Sequence, residues 1–198
     1  MSKQLKCVTA LKSGGIYGLE YLERLSEGIR QYAGQELWCL SDIDVPNRIP
    51  LEHDWPGWWS KMELFRPDIK GRLFYLDLDT VICGDIRHMI KVNDLTVLRH
   101  RYRWKEDRRV GSGLMMLPES CRPEIWRAWT RNTNNRTRRG DQHFMENVWT
   151  SHRKWQDLFP GQVLSVKEDC KGSTPEDARI VYYHGKPKPH ENNWKAYV

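Results

Sequence analysis

The chain has 198 residues, of which 39% are apolar and 29% are charged, and its formal net charge is +6. This length suits one domain with a buried core, which we expect over residues 1–198, and it is too short for two full domains. Neither an apolar run of roughly 18 residues nor an apolar segment behind the first lysines is present, so a membrane span and a secretory leader are not expected. We therefore expect a cytoplasmic protein.

Tryptophan is the unusual feature of the composition, with ten residues in the chain. Trp is costly to expose unless its face stacks on a sugar ring or a base. The five cysteines are widely scattered and have no metal-binding spacing, which favours reduced core thiols. The positive charge favours an anionic partner or simply a soluble basic surface, and it does not choose between nucleic acid, acidic lipid and phosphate-bearing small molecules.

The first forty residues predict a β-α-β unit. Residues 5–11 are apolar, 12–15 contain the breaker Gly-Gly, and 16–32 have the apolar spacing of an amphipathic helix, before a second strand at 36–40. This opening is typical of a parallel sheet with right-handed crossovers. Ligands of such sheets bind at the carboxyl ends of the strands.

The rest of the chain continues the alternation of strands and helices. A Pro- and Trp-rich loop at 47–59 precedes a helix, and the polar segments 101–109 and 131–141 predict loops. Strands are predicted at 72–78, 95–100, 113–118, 162–166 and 179–185, and helices at 60–65, 119–132 and 141–152. The tail 186–198 is expected to lie over the sheet. The predicted fold class is α/β, an open and mostly parallel sheet flanked by helices.

The sharpest motif is the pair Asp77 and Asp79, which follows the apolar run RLFYL. Alternation along a strand puts both carboxylates on one face. Two like charges so close repel unless a cation or a shared proton lies between them, and carboxylate oxygens are natural ligands of Mg²⁺ and Mn²⁺. The motif therefore predicts a divalent metal site, although one Asp capping a turn beside a solvated one would also fit.

Several further segments stand in a fixed order along the chain. They are the opening strand with the helix start at Tyr17, then WWSKMELF, FYLDLDTVICGDI, GSGLMML, GDQHFMENV and VYYHGKPKP. This ordered set resembles the GT-A fold nucleotide-sugar glycosyltransferases, in particular the family 8 type that includes glycogenin and bacterial lipopolysaccharide galactosyltransferases. The resemblance implies a single GT-A domain that transfers a hexose from a nucleotide-diphosphate sugar, with UDP as the expected nucleotide and with retention of the anomeric configuration.

The resemblance also implies that Mn²⁺ or Mg²⁺ bridges the donor diphosphate, held by Asp77, Asp79 and His184. In the family the histidine stands six residues before the lysine of the closing Lys-Pro pair, whereas that place here holds Tyr182, and His184 stands four residues before Lys188. A shift of two residues keeps the same face of a strand, so His184 is still expected to reach the metal. A histidine hydrogen-bonded at a strand end is the alternative.

We expect Lys186 and Lys188 to supply positive charge near the leaving diphosphate. Gly185 would allow the backbone to approach the phosphates closely. Lys61 corresponds to a basic residue of the family that contacts the donor sugar and the Asp-x-Asp region. A solvated tail and a surface helix would also explain these lysines.

The resemblance places the donor sugar against residues from three segments. Asp141 and Gln142 correspond to a pair that lies beside the anomeric carbon, and they are the expected catalytic residues, although Asp141 is also a natural helix cap. Gly111 replaces the usual Asn of the family, so Ser112 is expected to supply that polar contact. Leu78, between the two aspartates, is also expected to line the donor site.

The first strand is expected to seat the base and ribose. Thr9, Ala10 and Tyr17 are the candidates, with Tyr17 against the base. The acceptor is not identified by the sequence. We expect the Trp-rich segment 55–59 and the Arg-rich segment 131–139 to lie on the side of the site that binds the acceptor.

Three alternatives fit parts of the sequence. A haloacid-dehalogenase-type phosphatase also has a hydrophobic strand followed by Asp-x-Asp, as in LDLDTV, but its nucleophile strand usually opens the domain and it does not explain HGKPKP. The Arg-rich segments 99–109 and 131–139 suit a nucleic-acid surface, although we expect no nucleic-acid partner. A non-catalytic domain of the same fold is the third alternative, and the intact Asp-x-Asp motif argues against it.

Overall fold

The computed structural model describes residues 4–99, 109–131, 140–170 and 173–191. Ten strands lie in these ranges, and they are numbered here in chain order. They are β1 Leu5–Leu11, β2 Leu37–Ser41, β3 Arg48–Pro50, β4 Arg72–Leu76, β5 Val81–Ile82, β6 Thr96–Leu98, β7 Gly111–Leu117, β8 Arg153–Lys154, β9 Val163–Ser165 and β10 Ile180–Tyr182.

Seven of these strands form the central sheet, in the order β3-β2-β1-β4-β7-β6-β8. The neighbours β3, β2, β1 and β4 all run parallel, and β8 runs parallel to β6. Strand β7 runs antiparallel to both β4 and β6. The sheet is therefore mostly parallel, as the sequence predicts. The carboxyl ends of the parallel neighbours β1 and β4 meet at one edge, where ligands of such sheets bind.

The two closing strands do not extend the central sheet. Strand β10 lies between β5 and β9 in a small three-stranded sheet, antiparallel to β5 and parallel to β9. It covers Ile180–Tyr182, which is shorter than the predicted strand at 179–185. Because β5 follows the Asp-x-Asp segment directly, this pairing brings the residues after β10 to the carboxyl end of β4.

The helices are α1 Leu19–Ala33, the 3₁₀ helix Gly57–Phe65, α2 Arg122–Arg131, α3 Gly140–Val148 and α4 Trp155–Leu158, with short 3₁₀ turns at Met89–Lys91, Glu119–Cys121 and Pro189–Glu191. The first four helices lie close to predicted helices, whereas the sequence did not predict α4. Helix α1 starts at Leu19 rather than at 16, so Ile16 and Tyr17 stay in the loop after β1. Most of the predicted loops 101–109 and 131–141 lies outside the described residues, as does the end of the tail. No helix in the described ranges is long and apolar enough to cross a membrane.

Alternating side chains of the central strands fill two apolar clusters, one on each face of the sheet. In β4, Phe74 and Leu76 belong to the cluster beneath α1, whereas Leu73 and Tyr75 belong to the cluster beneath the 3₁₀ helix and α2. The first cluster also includes apolar residues of β5, β9 and β10. The small sheet therefore shares its core with the central sheet.

Aromatic rings join the 3₁₀ helix, α2 and α3 over the second face. Trp59 stacks on Trp129 with ring centroids 5.1 Å apart, and Phe144 packs edge-on against Trp129. Trp149 packs in the same way against Phe65. Most of this aromatic surface is buried, so the 3₁₀ helix has a fixed position on the sheet.

A buried arginine joins α2 to the turn that leads into β4. Arg122 donates hydrogen bonds to the carbonyl oxygens of Leu64, Ile69 and Gly71, at 3.3, 2.6 and 2.7 Å. These carbonyls lie where the chain leaves the 3₁₀ helix and enters the strand, and the guanidinium group takes the place of water there.

We expect Arg122→Ala to lower the free energy of unfolding by about 2–4 kcal/mol, because it leaves three buried carbonyl oxygens without their donor. Denaturant titration followed by circular dichroism measures the loss. Arg87→Ala is the control, since Arg87 is exposed and pairs with Asp85 at the surface, and it should cost less than about 0.5 kcal/mol. Equal small losses in both variants would contradict this role of Arg122.

Candidate active site

The candidate site lies directly after β4, at the edge that this strand shares with β1. The backbone N–H of Asp77 donates to the carbonyl of Gly113 at 2.8 Å, and that of Thr80 donates to the carbonyl of Asp77 at 3.0 Å. A tight turn therefore follows the strand and holds the motif. The side chain of Asp79 is buried and that of Asp77 is partly exposed.

Asp77 belongs to a network of polar groups that reaches three other elements. Its Oδ1 accepts from the hydroxyl of Tyr75 at 2.6 Å and lies 2.8 Å from the Nζ of Lys61. The same Nζ lies 3.4 Å from Oδ2 of Asp141 and 3.2 Å from the hydroxyl of Ser112. Ser112 in turn donates to Asp141 at 2.7 Å. One lysine thus compensates two carboxylates in a mostly buried setting.

Asp79 is held by a second pair of side chains. Its Oδ2 accepts from the hydroxyl of Tyr17 at 2.6 Å and from the Nζ of Lys188 at 2.9 Å. Each carboxylate of the motif therefore contacts one tyrosine and one lysine through a single oxygen.

The pKa values at the site reflect burial and these ion pairs. Burial raises the pKa of Asp77, the Lys61 ammonium lowers it and the charge of Asp79 raises it, with a net rise. Burial opposes the charge on Lys61, but the carboxylates of Asp141 and Asp77 outweigh it and raise the pKa of Lys61, which stays protonated. Burial and the Asp79 carboxylate raise the pKa of Tyr17, so its hydroxyl remains a donor.

The two carboxylates fit a divalent cation. Their hydrogen bonds and ion pairs use Oδ1 of Asp77 and Oδ2 of Asp79, and within the described part of the chain the other two oxygens accept none. Gly113 leaves room beside Oδ2 of Asp77, since a Cβ there would lie 3.2 Å away. The described residues contain no group of three His, Cys, Asp or Glu placed to hold a metal. Mg²⁺ commonly binds one or two carboxylates together with substrate phosphates, so two carboxylates suffice.

His184 lies on the same cleft as the two aspartates, a space of about 290 Å³. Its Nδ1 is 3.0 Å from the hydroxyl of Ser165, and its Nε2 is 3.9 Å from Oε1 of Glu168. Tyr182, the residue at the histidine position of the family motif, lines this cleft too. The structure therefore brings His184 to the site without joining it to a three-residue ligand group, and its role as a ligand stays a prediction.

The lysines of the closing segment differ in their surroundings. Lys188 contacts Asp79, whereas Lys186 is exposed and pairs with Glu191 at 3.3 Å. Gly185 lines the cleft with His184 and has a positive φ of 64°, a conformation that favours glycine. Of the two predicted cations, Lys188 lies at the aspartates.

The pair that opens α3 also reaches the site. Asp141 is buried in the network with Lys61 and Ser112, and Gln142 lines the cleft of the two aspartates. Asp141 and Ser112, which are predicted to contact the sugar, therefore lie next to each other.

A second and larger cleft, of about 520 Å³, lies on the β1 side of the motif. Ala10 and Leu78 line it, as does Tyr17, whose hydroxyl contacts Asp79. Thr9 does not lie at this surface. It is fully buried, and its hydroxyl donates to the carbonyl of Leu76 at 2.8 Å, so the side chain joins β1 to β4 and the prediction that it contacts a nucleotide is wrong.

Asp42, at the end of β2, caps the turn after β1. Its carboxylate accepts from the backbone N–H and the hydroxyl of Ser13, at 2.8 and 2.6 Å. An aspartate that accepts these hydrogen bonds at the start of a turn stabilises the turn.

No family model matches the chain, and no curated protein matches it. Solved structures do match. The chain is similar to the glycosyltransferase GlyE of Streptococcus pneumoniae TIGR4, with a TM-score of 0.64, 14% identity, and coverage of 96% of this chain and 56% of that one. For the galactosyltransferase LgtC in complex with donor and acceptor sugar analogs, the TM-score is 0.66, the identity 11% and the coverage 97% and 91%. A glycosyltransferase involved in the glycosylation of the major capsid of PBCV-1 is also similar. Its TM-score is 0.60 and its identity is 14%, and the match covers 93% of this chain and 96% of that one.

The chain has the GT-A fold. The low identities restrict these similarities to the fold, and the chain spans 56% of the length of the GlyE structure. A GT-A fold agrees with the sequence resemblance and leaves the phosphatase alternative without support.

Tyr75 is a site residue that the sequence reasoning missed. The signal was available, because Tyr75 and Asp77 are two positions apart at the end of a strand and so share a face of the GT-A sheet. Burial and the adjacent Asp77 raise the pKa of Tyr75 well above its usual value, which keeps its hydroxyl as a donor to this carboxylate.

We expect Lys61→Met to lower the free energy of unfolding by about 3 kcal/mol near pH 7.5, because it leaves Asp77 and Asp141 without their shared cation. Loss of the lysine raises the pKa of Asp77 further. A carboxyl group whose pKa is higher in the folded than in the unfolded state destabilises the folded state as the pH rises above its unfolded-state pKa. The loss of unfolding free energy in Lys61→Met should therefore be smaller near pH 5 than at pH 7.5. Denaturant titration at the two pH values measures this difference.

Lys12→Met is the matched control. Lys12 pairs with Asp54, whose side chain is exposed, so this variant should cost less than about 1 kcal/mol at either pH. A loss for Lys61→Met that is equal at both pH values would contradict the proposed electrostatic role.

Proposed function

We propose that this protein is a metal-dependent glycosyltransferase that transfers a hexose from a UDP-sugar to an acceptor, with retention of the anomeric configuration. The observation that carries the proposal is the pair Asp77 and Asp79, each held through one oxygen by a lysine and a tyrosine, at the carboxyl edge of a GT-A sheet. The similar structures include a galactosyltransferase crystallised with donor and acceptor sugar analogs, which supports a sugar donor of this kind.

Asp77 and Asp79 would hold the Mn²⁺ or Mg²⁺, with His184 as a further candidate on the same cleft. The ion, when bound, neutralises the donor diphosphate and stabilises the charge that develops as the sugar leaves. The chain's own contribution is to orient the two carboxylates. Tyr75 and Tyr17 do this by donating to one oxygen of each and leaving the other oxygen for the cation.

Lys188 supplies positive charge beside the motif in the proposed reaction. When the bond from the sugar to the phosphate breaks, negative charge grows on the departing nucleoside diphosphate. A lysine next to Asp79 is well placed to stabilise that charge. Lys186, which is exposed and paired with Glu191, has less support for the same role.

The larger cleft and the polar network beside it suit the two parts of the donor. We assign the nucleotide to the larger cleft, because it lies at the ends of β1 and β4 and is lined by Ala10, Tyr17 and Leu78. We assign the hexose to the region of Lys61, Ser112 and Asp141, where its hydroxyls meet charged and polar groups.

The proposed catalytic pair is Asp141 and Gln142, at the start of α3. Gln142 lines the cleft on the far side of the aspartates, from which we propose that the acceptor hydroxyl approaches. Asp141, held by Ser112 and Lys61, keeps its position beside the sugar. The tight placement of these groups lowers the entropic cost of aligning donor and acceptor.

Calorimetric titration of UDP tests the proposal. We expect binding with Mn²⁺ and little binding with EDTA, since Asp77 and Asp79 would repel the diphosphate without a bound cation. Asp79→Asn should weaken the Mn²⁺-dependent binding by at least about tenfold while circular dichroism stays unchanged, because it removes one ligand charge.

Asp85→Asn serves as the control, since Asp85 is an exposed carboxylate close in sequence that pairs with Arg87 and lines neither cleft. Tight UDP binding by Asp79→Asn, or equal binding with Mn²⁺ and EDTA, would refute the metal-dependent site. Absence of UDP binding in the wild-type protein would refute UDP as the donor nucleotide.

A further inference from the structure

Among the tryptophans that the structure describes, Trp58 has the most exposed ring. Trp58 is 62% exposed, whereas its neighbour Trp59 is 6% exposed and packs in the core. Trp58 lines the larger cleft beside the aspartates, together with Ile16, which is 65% exposed. Two large apolar side chains from different segments are therefore presented to one cleft that also contains Lys61 and Asp77.

The backbone that carries Trp58 is held firmly, so its exposure does not come from a loose loop. The hydroxyl of Ser60 donates to the carbonyl of Gly57 at 2.9 Å. The buried carboxylate of Glu63 accepts from the backbone N–H groups of residues 52 and 53, at 2.7 and 2.9 Å. Stacking of the adjacent Trp59 on the core completes the support. The backbone position of Trp58 is thus fixed before any ligand binds.

Trp58 lies at the end of the cleft where the donor sugar is assigned. A Cβ at Gly140, the residue before Asp141, would lie 3.7 Å from Nε1 of Trp58. Lys61 follows Trp58 by three positions in a 3₁₀ helix, a spacing that puts both side chains on one face. Lys61 pairs with Asp141 at 3.4 Å. The indole ring and the polar Lys61 and Asp141 groups therefore border the same space.

A hexose needs both kinds of surface. Its hydroxyl groups bind charged and polar side chains, while the face of its ring that carries axial C–H groups is apolar. An indole ring has a negative face that attracts such C–H groups, and it offers a large flat area at little cost in side-chain entropy.

We propose that Trp58 determines specificity for the donor sugar, with its indole face packed against the apolar face of the hexose. This inference rests on the proposed function and deepens it, since it names the part of the donor that Trp58 recognises. The sequence predicts the segment 55–59 on the acceptor side, whereas Trp58 lines the cleft that we assign to the donor. The nucleobase is a different occupant for the same ring, and the comparison of UDP with UDP-sugars separates it from the hexose.

The experiment is calorimetric titration of UDP, UDP-glucose and UDP-galactose, with Mn²⁺, into the full chain and its variants. Trp58→Ala should weaken binding of the better-bound UDP-hexose about threefold to tenfold and change UDP binding by less than about twofold. Trp58→Phe should recover most of the lost affinity, because it keeps an aromatic face. Since Trp58 is exposed, its truncation should leave the melting temperature nearly unchanged.

Leu19→Ala is the matched control, because Leu19 is a large apolar residue that is 48% exposed and does not line the cleft. It should change none of the affinities. If Trp58→Ala weakens the binding of UDP and of the UDP-hexose equally, the ring contacts the nucleotide. If the affinities for all three ligands are unchanged, the ring contacts neither the nucleotide nor the sugar. Either result overturns the inference. If wild-type protein fails to bind UDP, the proposed function itself fails and this inference falls with it.

Discussion

The repulsion between Asp77 and Asp79 is the constraint on which the rest of the site depends. Two carboxylates at the end of one buried strand are costly in a medium of low polarity unless positive charge or hydrogen-bond donors surround them. Asp77 pairs with Lys61 and accepts a hydrogen bond from Tyr75. Asp79 pairs with Lys188 and accepts a hydrogen bond from Tyr17. These contacts use one oxygen of each carboxylate, and within the described residues the other oxygen accepts no hydrogen bond. The neighbouring lysines and tyrosines therefore stabilise the pair of carboxylates.

The architecture of the molecule follows from the need to bring those partners together. Lys188 is 109 positions from Asp79, and it reaches the aspartate because β10 pairs with β5 directly after the motif. Lys61 reaches Asp77 because stacked tryptophans and the buried Arg122 fix the 3₁₀ helix against the sheet. The reversed strand β7 places Gly113 and Ser112 beside the motif. Features that look purely structural therefore set the geometry of the candidate active site.

The sequence analysis predicted the class of the fold and most of the site, and its errors share one cause. Strand β1, the mostly parallel sheet and the grouping of Lys61, Ser112 and Asp141 agree with the expectations. Thr9 is at the end of the expected strand, but its side chain turns inward to bond β4. The hydroxyl of Tyr17 contacts the carboxylate of Asp79, a partner that the sequence did not suggest. Residue type and position are visible in the sequence, whereas the hydrogen-bond partner of a side chain depends on neighbours from distant segments.

By itself, the sequence determined where the longer strands and helices form and which strand ends in two carboxylates, because apolar periodicity and the order of residue types act locally along the chain. It did not predict the short strands β3, β5 and β8. The tertiary structure alone decided that the closing strands form a separate sheet, that Lys188 rather than Lys186 meets Asp79, and that Trp58 alone of the adjacent tryptophan pair faces the cleft. These outcomes depend on long-range packing and on the pairing of buried charges. Both are settled by the total free energy of the folded molecule, to which distant segments contribute together.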